Sequence, residues 1–97
     1  MINDKNSVVR WAVAMKIDQA DLHKMFDDSN FIVRCEVTNR IDQAGLHKMI
    51  KDKNFIVRQQ VAKRIDQLGL RKMVNDPDLS VRWIVRRIRP SWINDER

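Results

Sequence analysis

A repeat of 24 residues constrains the fold of this chain more than any other feature. Residues 41–64 read IDQAGLHKMIKDKNFIVRQQVAKR, residues 17–40 read IDQADLHKMFDDSNFIVRCEVTNR, and residues 65–88 read IDQLGLRKMVNDPDLSVRWIVRRI. Residues 1–16 match the last two thirds of the same unit, and residues 89–97 leave the pattern as a C-terminal cap. Self-similarity at a short, fixed period is the signature of stacked repeats. We therefore predict that residues 1–97 form a single repeat domain.

Each unit is predicted to hold a short helix, a polar turn and a longer helix. In the longer segment, Val57 and Val61 are four residues apart and lie on one helical stripe. In the shorter segment, Leu46 and Met49 share a face, and Asp42 precedes them as an N-cap. No segment alternates with a period of two, so strands are not expected. The predicted fold class is all-α.

Stacking follows from the small size of the unit. A helix pair this short cannot bury its own apolar stripe, so neighbouring units must cover it. The expected core contains one leucine or two valines from each helix of the full units, namely Leu22, Leu46, Leu70, Val33, Val57, Val81, Val37, Val61 and Val85.

The repeated words DKNSVVR, DSNFIVR, DKNFIVR and DPDLSVR, at this period, resemble those of the leucine-rich repeat variant, which is similar in appearance to HEAT-type helical repeats. The resemblance covers about residues 1–88. It implies a right-handed solenoid in which longer α-helices alternate with short helices of the 3₁₀ kind, and it implies a binding surface rather than an activity. The founding member of that family is associated with an iron–sulfur cluster on an additional cysteine-rich segment, which the single Cys35 cannot replace, so no cofactor is expected.

Composition and motifs favour a non-enzymatic, cytoplasmic protein. No apolar run approaches the roughly 20 residues of a membrane span, and one cysteine forms no intrachain disulfide. His23 and His47 are one period apart, and packed helices lie about 10 Å apart, too far to share a zinc ion with bonds of about 2 Å. We expect both to be surface histidines. No residue pattern indicates a catalytic or metal site.

An aspartate and an arginine six residues apart recur in every unit. The pairs are Asp4 and Arg10, Asp28 and Arg34, Asp52 and Arg58, and Asp76 and Arg82. The arginines could form a row of phosphate contacts. We favour a structural ladder, in which each aspartate caps a helix and each arginine pairs with that aspartate or with the one in the next unit. A feature present in every unit belongs most naturally to stacking.

Positions at which the units differ are better candidates for binding. Trp11, Cys35, Gln59 and Trp83 are equivalent in the repeat and follow a core valine by two residues. At 100° per residue they lie about 160° from the apolar stripe and should face outward. The two tryptophans either shield the ends of the stack or anchor a partner.

Positive charge is concentrated in the second half of the chain. The net charge is +6, and units 41–64 and 65–88 contribute +4 and +2. Basic residues at regular spacing form either a solvated face or a track for a phosphate backbone. The candidate partner-binding residues are Trp83, Arg86, Arg87, Arg89, Lys63, Arg64, Lys48, Lys72 and Trp11.

Three functions fit these observations. The first is a protein-binding module that covers an acidic or mixed protein surface and acts as a small inhibitor or adaptor, by occlusion or bridging. The second is nucleic-acid binding through the basic half. The third is a structural unit that associates end to end, since both ends of a short stack are stacking surfaces. No membrane partner is expected.

Overall fold

The computed structural model describes residues 1–88, which are all-helical. Its seven helices are α1 (Ser7–Ala14), α2 (Gln19–His23), α3 (Phe31–Arg40), α4 (Gln43–Lys48), α5 (Phe55–Arg64), α6 (Gln67–Lys72) and α7 (Leu79–Ile88). The predicted alternation of short and long helices is confirmed over this range, and α1 has no short helix before it. The predicted cap at residues 89–97 lies outside the described residues.

The long helices pack in series. Helix α1 contacts α3, α3 contacts α5, and α5 contacts α7, while α2 also contacts α3. The molecule measures 48 × 22 × 16 Å along its principal axes. Since each inner long helix contacts the long helix before it and the one after it, α1 and α7 are the two ends of the row.

The predicted core is confirmed. All nine leucine and valine positions are buried, and none exposes more than 3% of its surface. Met25, Met49 and Met73, which end the short-helix segments, are each 1% exposed and complete the core between units. The repeat therefore places the same apolar side chains inside at every step.

Asparagine, not aspartate, caps the first three long helices. The side-chain oxygens of Asn6, Asn30 and Asn54 accept hydrogen bonds from the backbone N–H two residues ahead. The aspartate two residues earlier holds the turn instead, as Asp28 does by accepting from the Asn30 N–H at 2.9 Å. The prediction that this aspartate is itself the cap was wrong, because the asparagine lies closer to the first free N–H groups.

The short helices are α-helices capped by aspartate: Asp42 caps α4 as predicted, and its equivalents Asp18 and Asp66 cap α2 and α6. In α4 the Leu46 N–H donates to the Asp42 carbonyl four residues back. Only the closing bond, from the Met49 N–H to the Leu46 carbonyl, spans three residues. The expected 3₁₀ character is therefore confined to the last turn.

The Asp–Arg ladder is confirmed, and it runs between units. The guanidinium Nε of Arg34 donates to Asp52 Oδ2 of the next unit at 2.8 Å, and Nη1 donates to the carbonyl of Asp28 in its own unit at 2.6 Å. Arg10 pairs in the same way with Asp28, and Arg58 with Asp76. Each arginine thus joins the turn of its own unit to the turn of the next.

Two further links cross between units. The amide of Gln19 donates to the Arg40 carbonyl at 2.7 Å and accepts from the Asp42 N–H at 3.0 Å, and Gln43 repeats both bonds one unit later. Arg40 donates to the carbonyl of Ala14, the last residue of α1 in the preceding unit, at 2.6 Å, and to the carbonyl of Ile17, where its own unit begins, at 2.7 Å. Carbonyls that the helix end leaves without partners are satisfied by the next unit.

We expect Arg34→Ala to lower the free energy of unfolding by about 3–5 kcal/mol, because it leaves the buried Asp52 carboxylate without its cation. The Arg34 and Asp52 side chains are 4% and 7% exposed. Arg34→Lys should restore part of the lost free energy, since lysine keeps the positive charge but lacks the planar guanidinium that forms several hydrogen bonds at once. Urea denaturation followed by circular dichroism measures both variants.

Lys53→Ala, at an exposed position of the same turn region, is the control and should stay within about 0.5 kcal/mol of the parent. A loss of similar size in Lys53→Ala and Arg34→Ala would contradict the ladder.

Gly45 is predicted to be required for packing. A Cβ at Gly45 would lie 2.3 Å from Cγ1 and Cδ1 of the buried Ile41. Gly45→Ala should therefore lower stability by about 1–3 kcal/mol, although alanine favours helix. Ile41→Ala removes both of these atoms, so the same substitution should cost less in that background. Equal or greater stability of Gly45→Ala in the parent chain would show that α4 shifts freely.

Candidate interaction surface

Some of the predicted binding residues already form contacts within the fold, and others do not. Arg64, at the end of α5, donates from Nη1 to the carbonyls of Thr38 and Ile41, the latter at 2.9 Å. This is the link that Arg40 makes one unit earlier. Arg64 therefore has a structural partner in the preceding unit, a role that its charge alone did not reveal.

Lys48 also has partners within the fold. Its Nζ lies 3.0 Å from His23 Nδ1 and 5.3 Å from the centre of the Phe26 ring. Since an ammonium group only donates, Nδ1 accepts, and the His23 proton is assigned to Nε2, which lies 2.9 Å from Asp42 Oδ1. His47 contacts Asp66 in the same way at 3.0 Å.

The two histidines are half-buried rather than freely solvated, which corrects the expectation of surface histidines. Both side chains are 23% exposed. Each contacts the aspartate that caps the short helix of the next unit. Their recurrence one period apart therefore reflects packing between units, and the third unit carries Arg71 at this position.

The outer face of α7 carries the largest group of exposed candidates. Trp83 exposes 55% of its surface, and the Arg87 guanidinium carbon lies 4.6 Å from the centre of its ring. Arg86 is exposed beside them.

Trp11, on α1 at the other end of the row of long helices, is 36% exposed. Both tryptophans are exposed, at opposite ends of the row. Their equivalents Cys35 and Gln59 are half-buried, and the Gln59 amide donates to the Ser80 hydroxyl of the next unit at 2.6 Å, so the predicted outward row was wrong for the inner units.

Arg86 stands at a position that the fold buries elsewhere. Its equivalents Ala14, Thr38 and Ala62 are at most 1% exposed, and each belongs to a long helix that another long helix follows. Helix α7 has no following long helix among residues 1–88, and Arg86 replaces the small residue there. The outer face of α7 is thus charged where an inner face is apolar.

Arg82 adds to this face a positive charge whose orientation is fixed by a hydrogen bond. Its Nη1 donates to the Asp76 carbonyl at 2.7 Å, the same anchor that the inner arginines use. Within residues 1–88, no carboxylate meets its Nε and Nη2. The nearby acids are engaged, because Asp76 pairs with Arg58, and the Asp78 carboxylate accepts from the backbone and hydroxyl of Ser80, a contact that lowers the pKa of Asp78. We call Arg82, Trp83, Arg86 and Arg87 the α7 surface.

The remaining candidates flank this surface or lie apart from it. Lys63 is exposed at the repeat position of Arg87 on the adjacent helix α5, so it extends the α7 surface. Lys48 and Lys72 end the short helices α4 and α6. Arg89 lies outside the described residues.

Other kinds of site find no support in the described part of the chain. Residues 1–88 contain no group of three histidine, cysteine or acidic side chains placed to hold a metal ion. None of their helices combines the length and apolar character that crossing a bilayer requires. Burial raises the pKa of the Cys35 thiol, which makes it less reactive. Comparison of the chain with protein-family models, curated proteins and solved structures finds no match.

The carboxylates of Asp42 and Asp66 are predicted to contribute to the loss of stability in acid. The pKa of Asp42 is lowered mainly by the Gly45 N–H and then by His23, with Lys48 nearby, and the pKa of Asp66 is lowered in the same order by Gly69 and His47. The unfolded chain takes up these protons first, near the usual value of 3.8. Their stabilisation is therefore complete above that pH and is lost as pH falls towards the lower folded-state pKa.

Asparagine retains the capping oxygen but does not titrate. In Asp42→Asn the melting temperature should consequently fall less steeply than in the parent as the pH drops below the usual aspartate value of 3.8, and the Asp42→Asn, Asp66→Asn pair should flatten the slope further. Thermal melts followed by circular dichroism measure the slopes. A parent-like slope in the double variant would contradict this assignment.

Proposed function

We propose that the protein is a non-enzymatic protein-binding module whose α7 surface binds an acidic or mixed surface of a partner protein. The observation that carries the proposal is a cluster of three arginines around an exposed tryptophan on α7. None of the three, Arg82, Arg86 and Arg87, has a carboxylate partner within residues 1–88. Binding by such a small chain would act through occlusion or bridging, as an inhibitor or an adaptor does.

The chemistry of the α7 surface supports a protein partner. Tryptophan and arginine are the side chains most enriched among residues that dominate interface energies. The stacking of Arg87 on Trp83 holds both side chains in place before binding, which lowers the entropy lost on association. Guanidinium groups also bind carboxylates with two parallel hydrogen bonds, so acidic side chains are their natural partners.

The architecture that we propose for this module is a right-handed solenoid of the leucine-rich repeat variant kind. The serial packing of α1, α3, α5 and α7 and the repeated links between units support it. In such an array the inner faces of the helices pack against neighbouring units. The end faces and the outer rows of side chains stay accessible to partners. Lys63 beside α7, and Lys48 and Lys72 on the short helices, would widen the contact.

Nucleic-acid binding is the second candidate, and it rests on one observation. The excess positive charge of the chain lies in residues 41–88, around the α7 surface. Guanidinium groups suit phosphate as well as carboxylate, and an exposed tryptophan suits a stacked base. The two candidates differ in salt dependence, because binding through several phosphates weakens steeply as salt rises.

The charge reversal Arg86→Glu with Arg87→Glu should weaken partner binding about tenfold or more while leaving the helix content unchanged, because both side chains are exposed. The matched control is Lys51→Glu with Lys53→Glu, which changes the net charge equally at exposed positions away from α7. Proteins captured from extract of the source cells by the immobilised parent identify the partner. Titration calorimetry at about 50 and 300 mM salt then measures its affinity for each variant.

Binding that survives the Arg86 and Arg87 reversal but is lost in Trp11→Ala would move the functional surface to the α1 end. Binding that is equally weak in the Lys51 and Lys53 control would indicate that overall charge, not the α7 surface, attracts the partner. A salt response that scales with several phosphates would favour nucleic acid.

A further inference from the structure

The two ends of the row of long helices are complementary to each other. We propose that copies of the chain associate head to tail, with Arg82 of one copy pairing with Asp4 of the next. This inference goes beyond the proposed function and needs no other partner. It rests on the geometry that the three inner Arg–Asp pairs establish.

Every inner pair has the same construction. The distances from arginine Nε to aspartate Oδ2 are 2.8, 2.8 and 2.9 Å, and no side chain of the three pairs is more than 12% exposed. The arginine is fixed by a second bond, from Nη1 to a carbonyl of its own unit. The aspartate is fixed by the N–H that its Oδ1 accepts two residues ahead.

At the α7 end, the arginine half of this pair is present without an aspartate. Arg82 has its Nη1 bond to the Asp76 carbonyl at 2.7 Å, so its guanidinium is anchored as in the inner units. The next unit, which would supply the carboxylate, is not found among residues 1–88. The Nε and Nη2 groups of Arg82 are therefore available to an acid from another chain.

At the α1 end, the aspartate half is present without an arginine. Asp4 Oδ1 accepts from the Asn6 N–H at 2.8 Å, which is the turn that Asp28, Asp52 and Asp76 adopt. Asp4 has no arginine partner from a preceding unit within the described residues. A second copy would thus present its carboxylate to Arg82 in the conformation that the inner pairs use.

Apolar surface at both ends favours the same contact. Val9 and Val13 on α1 are partly exposed, whereas their equivalents Val33 and Val37 are fully buried. On α7, Trp83 is 55% exposed. Burying these side chains against a second copy would continue the interface that already joins α5 to α7. Because Trp83 also belongs to the α7 surface, head-to-tail association and partner binding would exclude each other.

Arg86 limits the strength of this contact. Its equivalents are buried small residues, so a long helix docked on α7 must accommodate a guanidinium where the inner interfaces have alanine or threonine. Desolvating an unpaired charge is costly. We therefore expect weak association in the parent and about tenfold tighter association in Arg86→Ala. If the α7 surface served only an acidic partner, Arg86→Ala would have no such effect.

Sedimentation velocity of the full chain up to about 1 mM tests the proposal with charge swaps. Asp4→Arg alone and Arg82→Asp alone should each weaken association at least tenfold, because each chain then carries like charges at its two ends. An equimolar mixture of the two variants should restore association, since each variant then finds opposite charge on the other. The chain carrying both substitutions should associate by itself. Circular dichroism checks that each variant is folded, and Asp4→Asn, which retains the turn acceptor, replaces Asp4→Arg if that variant unfolds.

Asp27→Arg is the matched control, because it changes an exposed acid outside the ladder and should reduce association much less than Asp4→Arg. A parent chain that stays monomeric at 1 mM, together with a monomeric Arg86→Ala variant, would overturn the proposal. Failure of the mixture to restore association would overturn the Arg82–Asp4 pairing. None of these outcomes depends on whether the proposed protein partner exists.

Discussion

The buried ion pair between an arginine and the aspartate of the following unit is the interaction on which this structure depends. One guanidinium satisfies a carbonyl of its own unit and a carboxylate of the next, as Arg34 does for Asp28 and Asp52. Because both groups of the pair are buried, neither is satisfied unless the next unit stands in register. The Gln19 and Arg40 bonds to neighbouring backbone groups fix the same register at the opposite ends of the helices. Burial of the valines favours packing of the units against each other, and these polar links determine the register in which they pack.

The same interactions are the reason that we place the proposed function at the ends of the row. The arginines, glutamines and valines of the inner units contact neighbouring units, so few of these side chains are accessible to a partner. Helix α7 has no following unit among residues 1–88 and therefore leaves Arg82 with an open guanidinium and Trp83 exposed. Arg86 then replaces a small buried residue with a cation, which disfavours further stacking and adds charge to the exposed face. A surface that would continue the stack is thereby converted into one suited to acidic groups.

Much of the fold was predictable from the period, since steps of four placed Val57 and Val61 on a stripe that the structure buries completely. The period shows which residues are equivalent but not the offset between units, so the choice of Asp52 over Asp28 for Arg34 needed the structure. Residues 52–54 are polar and were all candidate caps, so the choice of Asn54 over Asp52, like the role of Arg64 as a link to Thr38, depends on distances of a few ångströms that spacing does not reveal. At the candidate site, helical geometry predicted that Trp83 and its equivalents face outward, but Cys35 and Gln59 are half-buried between units, so Trp83 is exposed because no unit follows α7 among residues 1–88. The open Arg82 group followed only from seeing its equivalents paired.

Duplication of residues 41–64 tests most directly whether unit-to-unit contacts carry the stability. Inserting a second copy of these 24 residues after Arg64 adds one complete set of links in register, with an additional Arg–Asp pair. In a linear array stability grows with each interface, so the account predicts a higher melting temperature and a larger free energy of unfolding than in the parent. A duplication of residues 41–62, which breaks the register, should lower both. Equal or lower stability of the in-register duplication would contradict the account.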